Sequence, residues 1–362
     1  MKVIQLLPEL NEGGVERGVV ELNRELVKRG VISIVISLGG KLAAQIESDG
    51  GKHICFDVCT KNPFNLPFRI FRLQKLLRRL NPNIVHARSR LPAWMAYYAS
   101  RSLKCSFITT VHGLNSVNRY SEIMTRGERV IAVSEVVRDY IVKNYPVNAT
   151  KVRVIQRGVD TKLFDPDRVD CQFINQFREQ YQLDGKFVVS SIGRITWLKD
   201  FETFIQSIAI LKEEIPNIIG LIVGGARADK MEYLESLKLL ATKEGVADKI
   251  IFTGSQSRIV EIYAMSDLTV NASLKMGNIG RTVVESLAMN TPVIATTYEG
   301  LVDLVEDGVN GYLIRTQDPQ DLAEKILAAY RVGFGDIRAT LNPEYTLTTM
   351  VQRTLDVYRE VQ

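Results

Sequence analysis

Short apolar runs, each followed by a polar or glycine-bearing loop and then by a helical pattern, recur along almost the whole chain. Residues 2–7 form the first such run, residues 8–14 a loop containing Gly13 and Gly14, and Val15, Val19, Leu22 and Leu26 a helical stripe that stops at Gly30. Residues 31–38 are again apolar and rich in β-branched side chains, so the opening reads βαβ, a unit that places its strands in a parallel sheet. The alternation continues with strands expected at 83–87, 106–112 and 130–133, and helices at 91–102 and 136–145. After 154–155 the chain turns polar and rich in turn residues, with Gly158, Asp160, Pro166 and Asp167. A second βα series follows, with strands expected at 187–192, 218–223, 250–252, 268–270, 293–295 and 312–314. Its helices are expected at 201–214, 230–244, 259–265, 282–289 and 321–330.

At 362 residues the chain exceeds what one hydrophobic core usually serves, so two α/β domains are expected, each built on a parallel sheet. The boundaries read as a first domain over 1–165, a linker over 166–185, a second domain over 186–340 and a terminal helix within 341–362 that crosses back to the first domain. Sheets of this kind bind ligands at the carboxyl ends of their strands, in the cleft between the domains. No run of about 18 apolar residues is present, and the start, MKVIQLLPEL, lacks the basic and apolar regions of a signal peptide, so a cytoplasmic location is expected. Cys55, Cys59, Cys105 and Cys171 form no CxxC pair and are expected as reduced structural thiols, with no metal site. The charge is divided: residues 1–165 hold 26 Lys and Arg against 14 Asp and Glu, a charge of +12, and the remainder holds 20 against 27, or −7. The first half therefore suits an anionic partner.

The candidate chemistry concentrates in residues 275–295, KMGNIGRTVVESLAMNTPVIA, where a polar loop feeds a helix. A helix first turn presents unpaired N–H groups and the positive end of the dipole, which together favour a phosphate. Upstream, Gly193 and Arg194 follow a strand directly and Lys199 lies near the next helix start. Two such cations suit a pyrophosphate and stabilise charge on a departing nucleoside diphosphate. The carboxylate of Glu285 offers two acceptor oxygens to the vicinal diol of a ribose.

These residues carry a family resemblance. Gly193-Arg194-Ile195 with Lys199, and Gly280-Arg281-Thr282-Val283-Val284-Glu285-Ser286-Leu287-Ala288-Met289 running into Thr291-Pro292-Val293-Ile294-Ala295, resemble the donor domain of retaining GT-B glycosyltransferases of family four, above all those of bacterial lipopolysaccharide and surface-glycan assembly. Gly13-Gly14-Val15-Glu16-Arg17, Thr109-Thr110-Val111-His112-Gly113, Val133-Ser134 and Arg157-Gly158-Val159-Asp160 extend the likeness to the first half. The resemblance implies two Rossmann-like domains with parallel sheets facing a central cleft. It implies that a UDP- or GDP-linked sugar is the donor substrate, that no metal or other cofactor is needed, and that configuration is retained. By the same resemblance Arg194 and Lys199 hold the diphosphate, Gly13, Gly14, Gly193, Gly280, Arg281 and Thr282 line the donor site, Glu285 takes the ribose and His112 approaches the transferred sugar. One position departs: the family has a carboxylate eight residues before Glu285, where this chain has Gly277, and Ile279 stands in place of Phe. Asn278 is the neighbouring candidate for the sugar contact, since glycine has no side-chain acceptor. Gly277 also motivates the alternative of a non-catalytic nucleotide-sugar or glycan-binding member of a membrane assembly complex; a nucleotide-sugar epimerase of the same fold is a further alternative.

Within residues 66–80, LPFRIFRLQKLLRRL, Leu66, Ile70, Leu73, Leu77 and Leu80 share one helical face, with Arg72, Lys75 and Arg79 opposite and Phe68 and Phe71 projecting toward the basic side. Basic residues interspersed with aromatics suit an anionic membrane surface, here the inner face of the cytoplasmic membrane. Arg88 and Arg90 follow an expected strand end and are candidates to grip an anionic, lipid-linked saccharide acceptor. Nucleic acid is not expected, because no nucleic-acid module is recognisable.

Overall fold

In the computed structural model, which describes the chain from residue 1 to 362 apart from Glu12, Pro63, 275–279 and 298–303, the first apolar run forms an interior strand of a seven-stranded parallel sheet. Its strands are β1 (Lys2–Leu6), β2 (Ile32–Ser37), β3 (Lys52–Cys55), β4 (Ile84–Ala87), β5 (Ser106–Val111), β6 (Arg129–Ala132) and β7 (Val152–Val154), in the order β3-β2-β1-β4-β5-β6-β7. The order reverses between β1 and β4, and a crevice at the carboxyl ends of those two strands is where such a sheet receives a ligand.

Helix Gly14–Lys28 buries Val19, Leu22 and Leu26 of the stripe expected from the sequence, while Val15 is only half-buried. It ends before Gly30, whose φ of +73° is left-handed and suits glycine. The terminal helix Leu347–Arg359 belongs to this same unit, which comprises Met1–Arg157 and Leu347–Gln362. Leu347, Met350, Val351, Leu355 and Tyr358 enter one cluster with Val3, Leu22, Leu26, Ile84, Ile108 and Ile131. Beyond the helix, Glu360 pairs with Arg129 at 2.7 Å and Arg153 at 2.8 Å, and Ser106 Oγ donates to the Val361 carbonyl at 2.7 Å.

The second unit, Gly158–Thr346, has a six-stranded parallel sheet. Its strands are β8 (Phe187–Ile192), β9 (Ile218–Val223), β10 (Ile250–Gly254), β11 (Leu268–Asn271), β12 (Val293–Thr296) and β13 (Gly311–Ile314), in the order β10-β9-β8-β11-β12-β13. Here the reversal lies between β8 and β11. The strands are buried on both faces, by Phe201, Phe204 and Ile208 in one cluster and by Phe177, Leu183 and Met265 in another. Both units are thus parallel sheets covered by helices, a two-domain Rossmann-like α/β architecture.

Three details differ from the sequence reading. Residues 166–185, expected as linker, contain the helix Cys171–Gln180, capped by Asp170, with Phe177 packed in the second unit's core. Residues 158–165 lie in the second unit, where Arg338 donates to the Thr161 carbonyl at 2.8 Å and the Phe164 carbonyl at 2.6 Å. The edge strand β3 and the helix Ala43–Ser48 were not expected; β3 is short and only half-buried, so it carries little apolar signal. The four cysteines are free thiols, with Cys55 and Cys171 exposed.

Candidate functional site

In the second unit, the residues singled out by sequence gather where β8 and β11 diverge. Gly193 leaves β8 with its N–H bonded to the Val223 carbonyl at 2.9 Å, and a Cβ there would lie 2.8 Å from Lys199 Cε. Glycine therefore lets Lys199 lie back over the strand end. Lys199 Nζ donates to Ser273 Oγ at 3.3 Å, and burial, followed by the Arg194 charge, holds its pKa below the usual lysine value while Glu285 opposes that shift. Arg194 itself is exposed. Asp200, in a left-handed conformation at φ +50°, caps the next helix by accepting from the Thr203 backbone N–H at 3.4 Å, accepts also from Thr203 Oγ1 at 2.8 Å, and so fixes the turn that carries Lys199.

β11 ends on Asn271, which braces both sides of the following loop: its Oδ1 accepts from Ser273 Oγ at 2.6 Å and its Nδ2 donates to Thr282 Oγ1 at 2.8 Å. The helix Arg281–Ala288 starts at Gly280 without a side-chain cap, so its first-turn N–H groups keep the character of an anion cradle. Ser286, inside that helix, is hydrogen-bonded to Thr269 on β11 at 2.6 Å, which locks the helix against the sheet.

Glu285 is 7% exposed rather than solvated. Its Oε2 accepts from the buried Tyr263 hydroxyl at 3.0 Å and its Oε1 from Arg281 Nε at 2.5 Å. Burial, and then the Glu285 charge, raise the Tyr263 pKa well above the phenol value, so the hydroxyl remains a donor. Asn271, Ser273 and Tyr263 were not singled out by sequence; a polar residue at a strand end and a tyrosine in a short helix look ordinary until the fold brings them together. Phenylalanine at Tyr263 is expected to leave the fold intact and to raise the KM for a ligand held by Glu285 by about 10- to 100-fold, since one hydrogen bond to a charged group is worth about 1.5–3 kcal/mol. A KM unchanged with a lowered kcat would contradict a positioning role. Gly277 and Asn278 lie outside the described residues.

In the first unit, Gly13 and Gly14 open the helix after β1. A Cβ at Gly14 would lie 3.3 Å from Arg157 Nη1, and one at Gly18 would lie 2.8 Å from Arg157 Nη2, so these glycines admit the guanidinium against the helix. His112 follows β5 and lines a cavity with Arg88, Thr110 and Arg157. Burial, then Arg88, then Arg157 hold its pKa well below the free value. His86 sits behind it, wholly buried, with Nδ1 2.7 Å from Tyr358 Oη and Nε2 2.7 Å from Thr110 Oγ1. Arg88 and Arg90 are not brought together: Arg88 is buried in the cavity wall, whereas Arg90 donates to Ser121 Oγ at 3.3 Å and lies 5.3 Å from the Tyr120 ring centre.

All three histidines have pKa values pushed down, by burial foremost. As pH falls below about 6.5 the unfolded chain gains protons that these native rings refuse, so their contribution erodes stability toward acid pH. Thermal midpoints measured between pH 7.5 and 5 should fall, and fall less steeply in His86→Gln; an unchanged slope would mean that His86 does not report this linkage.

Among the described residues, no group of three or more His, Cys, Asp and Glu side chains is placed to hold a metal ion, and no helix is long and apolar enough to cross a membrane. Residues 12–163 match the family described as Glycosyltransferase Family 4, and residues 173–333 match that described as Glycosyl transferases group 1. The spore coat protein SA of Bacillus subtilis is 25% identical over 264 residues, 69% of each chain. Alignments with further curated relatives span about half of those proteins' length. A glycosyltransferase of Rickettsia africae superposes with a TM-score of 0.91 at 28% identity, covering 99% of this chain and 98% of that one. HepE of Anabaena, solved in complex with UDP-glucose, has the same fold, with a TM-score of 0.86 at 20% identity over 99% of this chain and 100% of its own.

Proposed function

We propose that this chain, which belongs to the GT-B glycosyltransferases built from a Family 4 domain and a group 1 domain, transfers a sugar from a nucleoside-diphosphate donor to a saccharide acceptor with retention of configuration. The observation that carries the reading is the convergence, at the strand-order reversal of the second unit, of Arg194, Lys199, an uncapped helix start and the buried Glu285. A UDP- or GDP-linked donor fits this set, and HepE's complex with UDP-glucose supports it by likeness of fold.

In this mechanism Lys199 and Arg194 take the diphosphate, together with the first-turn N–H groups of helix Arg281–Ala288. These positive groups stabilise the charge that grows as the glycosidic bond breaks. Glu285, held by Tyr263, takes the ribose diol; Arg281 shares that carboxylate and lies at the phosphate end of the helix. His112 supplies a neutral ring beside the sugar. The leaving phosphate accepts the proton of the acceptor hydroxyl on the same face, which gives retention without a metal. Arg90, at the start of helix Arg90–Ser100, contacts an anionic acceptor.

The acceptor is lipid-linked, in lipopolysaccharide or related surface-glycan assembly, and the enzyme works at the inner face of the cytoplasmic membrane. Helix Leu66–Leu80 supports this: Leu73 and Leu77 are buried, whereas Phe68 and Phe71, and Phe64 just before the helix, are exposed, with Arg72 5.7 Å from the Phe68 ring and Lys75 4.7 Å from that of Phe71. Vesicles containing anionic lipid should sediment the protein, and the triple change Phe68→Ala, Phe71→Ala, Lys75→Glu should abolish this; equal sedimentation of both proteins would remove the membrane from the account.

Release of nucleoside diphosphate with a panel of UDP- and GDP-sugars and lipid-linked acceptors tests the activity. Turnover on one pair supports transfer. Because Gly277 lacks the carboxylate of its family, nucleotide binding without turnover on any pair supports the non-catalytic reading, and interconversion of donor sugars without acceptor supports an epimerase.

A further inference from the structure

His86 is a buried titratable side chain outside the set that binds the donor. On β4, with no exposed surface, it has Nδ1 2.7 Å from Tyr358 Oη of the terminal helix and Nε2 2.7 Å from Thr110 Oγ1 of β5. Burial, followed by the Arg88 charge, holds its pKa well below the free value, so the ring is neutral and carries one proton. A neutral imidazole donates from one nitrogen and accepts at the other. The two hydroxyls decide which.

Their surroundings differ. Tyr358 is 0% exposed, and burial raises its pKa and keeps it a protonated phenol. Among the described residues its hydroxyl has no hydrogen-bond partner other than His86. Gln5, beside His86 on β1, has both of its amide atoms buried and unbonded, so it does not take the phenol proton. Were the ring proton on Nδ1, Tyr358 would accept it and leave its own O–H buried and unpaired, a desolvation cost that the opposite arrangement avoids. Tyr358 therefore donates to Nδ1, and the ring proton sits on Nε2. Nε2–H in turn donates to Thr110 Oγ1, whose own proton points away from His86. Thr110 lines the pocket that also contains His112, and Tyr358 does not, so only the Thr110 proton has the pocket to donate into.

We infer that Thr110 is a sugar-binding residue whose hydroxyl is an obligate hydrogen-bond donor into the His112 pocket, its direction set by the relay Tyr358–His86–Thr110. The group it takes is an oxygen lone pair, on a hydroxyl or the ring oxygen of the sugar; this rests on the reading that the transferred sugar lies beside His112. His86 and Tyr358 touch no substrate and are positioning residues. The terminal helix, which carries Tyr358, thereby acts on the site as well as on the core.

Nitrogen NMR of the full chain with isotope-labelled histidine reads the ring directly, because protonated and unprotonated imidazole nitrogens resonate far apart. The chain has three histidines, and the signals of His53 and His112 are identified by their loss in His53→Gln and His112→Gln, which leaves His86. The proton is expected on Nε2; a proton on Nδ1 overturns the proposal. In steady-state kinetics Thr110→Val is expected to lower kcat/KM for the nucleotide-sugar by about 3- to 10-fold, the worth of one neutral hydrogen bond, with the affinity for free UDP or GDP unchanged. Thr110→Ser, which keeps the hydroxyl, is expected to retain most of the activity. No loss in Thr110→Val, or an equal loss in both variants, also overturns the proposal. Absence of turnover on every donor and acceptor pair would remove the transfer reading instead; the affinity for UDP-glucose relative to UDP, read by calorimetry in the same variants, then replaces kcat/KM with the same expectations.

Discussion

Lys199→Ala is expected to lower kcat with the best donor by about 100-fold or more, with thermal stability nearly unchanged. Removing one preorganised donor to developing negative charge costs about 10²–10³ in kcat in comparable sites. Lys199 is held at the β8 end by its packing over Gly193 and by Ser273, and the burial that depresses its pKa also makes its charge more effective on an incoming diphosphate. The structural cost of the change is small, because the Lys199 ammonium makes no ion pair among the described residues and Asp200 still caps the helix that follows. Steady-state kinetics with thermal melting of the same sample checks this; a loss of less than about tenfold would remove Lys199 from the transition state.

Deleting residues 347–362 is expected to prevent the first unit from folding. The helix Leu347–Arg359 contributes Leu347, Met350, Val351, Leu355 and Tyr358 to the cluster that covers β1, β4, β5 and β6. Each such side chain is worth about 1.5–3 kcal/mol when fully buried, so their joint removal is on the order of the whole stability of a domain. His86 would in addition lose Tyr358 as a partner, and Arg129 and Arg153 would lose Glu360. Proteolysis and calorimetry should show the second unit, which keeps all its own strands, melting alone. Two preserved transitions would show that the terminal helix is dispensable.

The fold was legible because parallel sheets buried on both faces read as continuous apolar runs, and β1, β2, β8 and β9 do so. Where that signal fails, the reading failed too. Helix Cys171–Gln180 lies in a turn-rich, charged stretch and buries little besides Phe177, so sequence gave no period to recognise. Arg69 was not singled out by sequence; in the structure it is buried, bonded to the Asn65 side chain at 3.0 Å and paired with Asp57 at 3.2 Å.

The candidate site divides the same way. Gly193 and Lys199 stand out by their position at a strand end and near a helix start, whereas Gly280 and Glu285 stand out through the family resemblance. The neighbours that hold them do not: Tyr263 reaches Glu285 across 22 residues and Ser273 reaches Lys199 across 74, contacts that no local pattern encodes. Arg88 and Arg90, two apart in sequence, look like a pair, but one follows the strand end inward and the other starts a helix.

Calorimetric titration of UDP and GDP into the wild type, Lys199→Ala and Glu285→Ala tests most directly whether a nucleoside diphosphate is held where β8 and β11 diverge. The account predicts one-to-one binding of one nucleotide to the wild type, weakened at least tenfold in each variant. Binding of equal strength to all three proteins, or of neither nucleotide to the wild type, would contradict it.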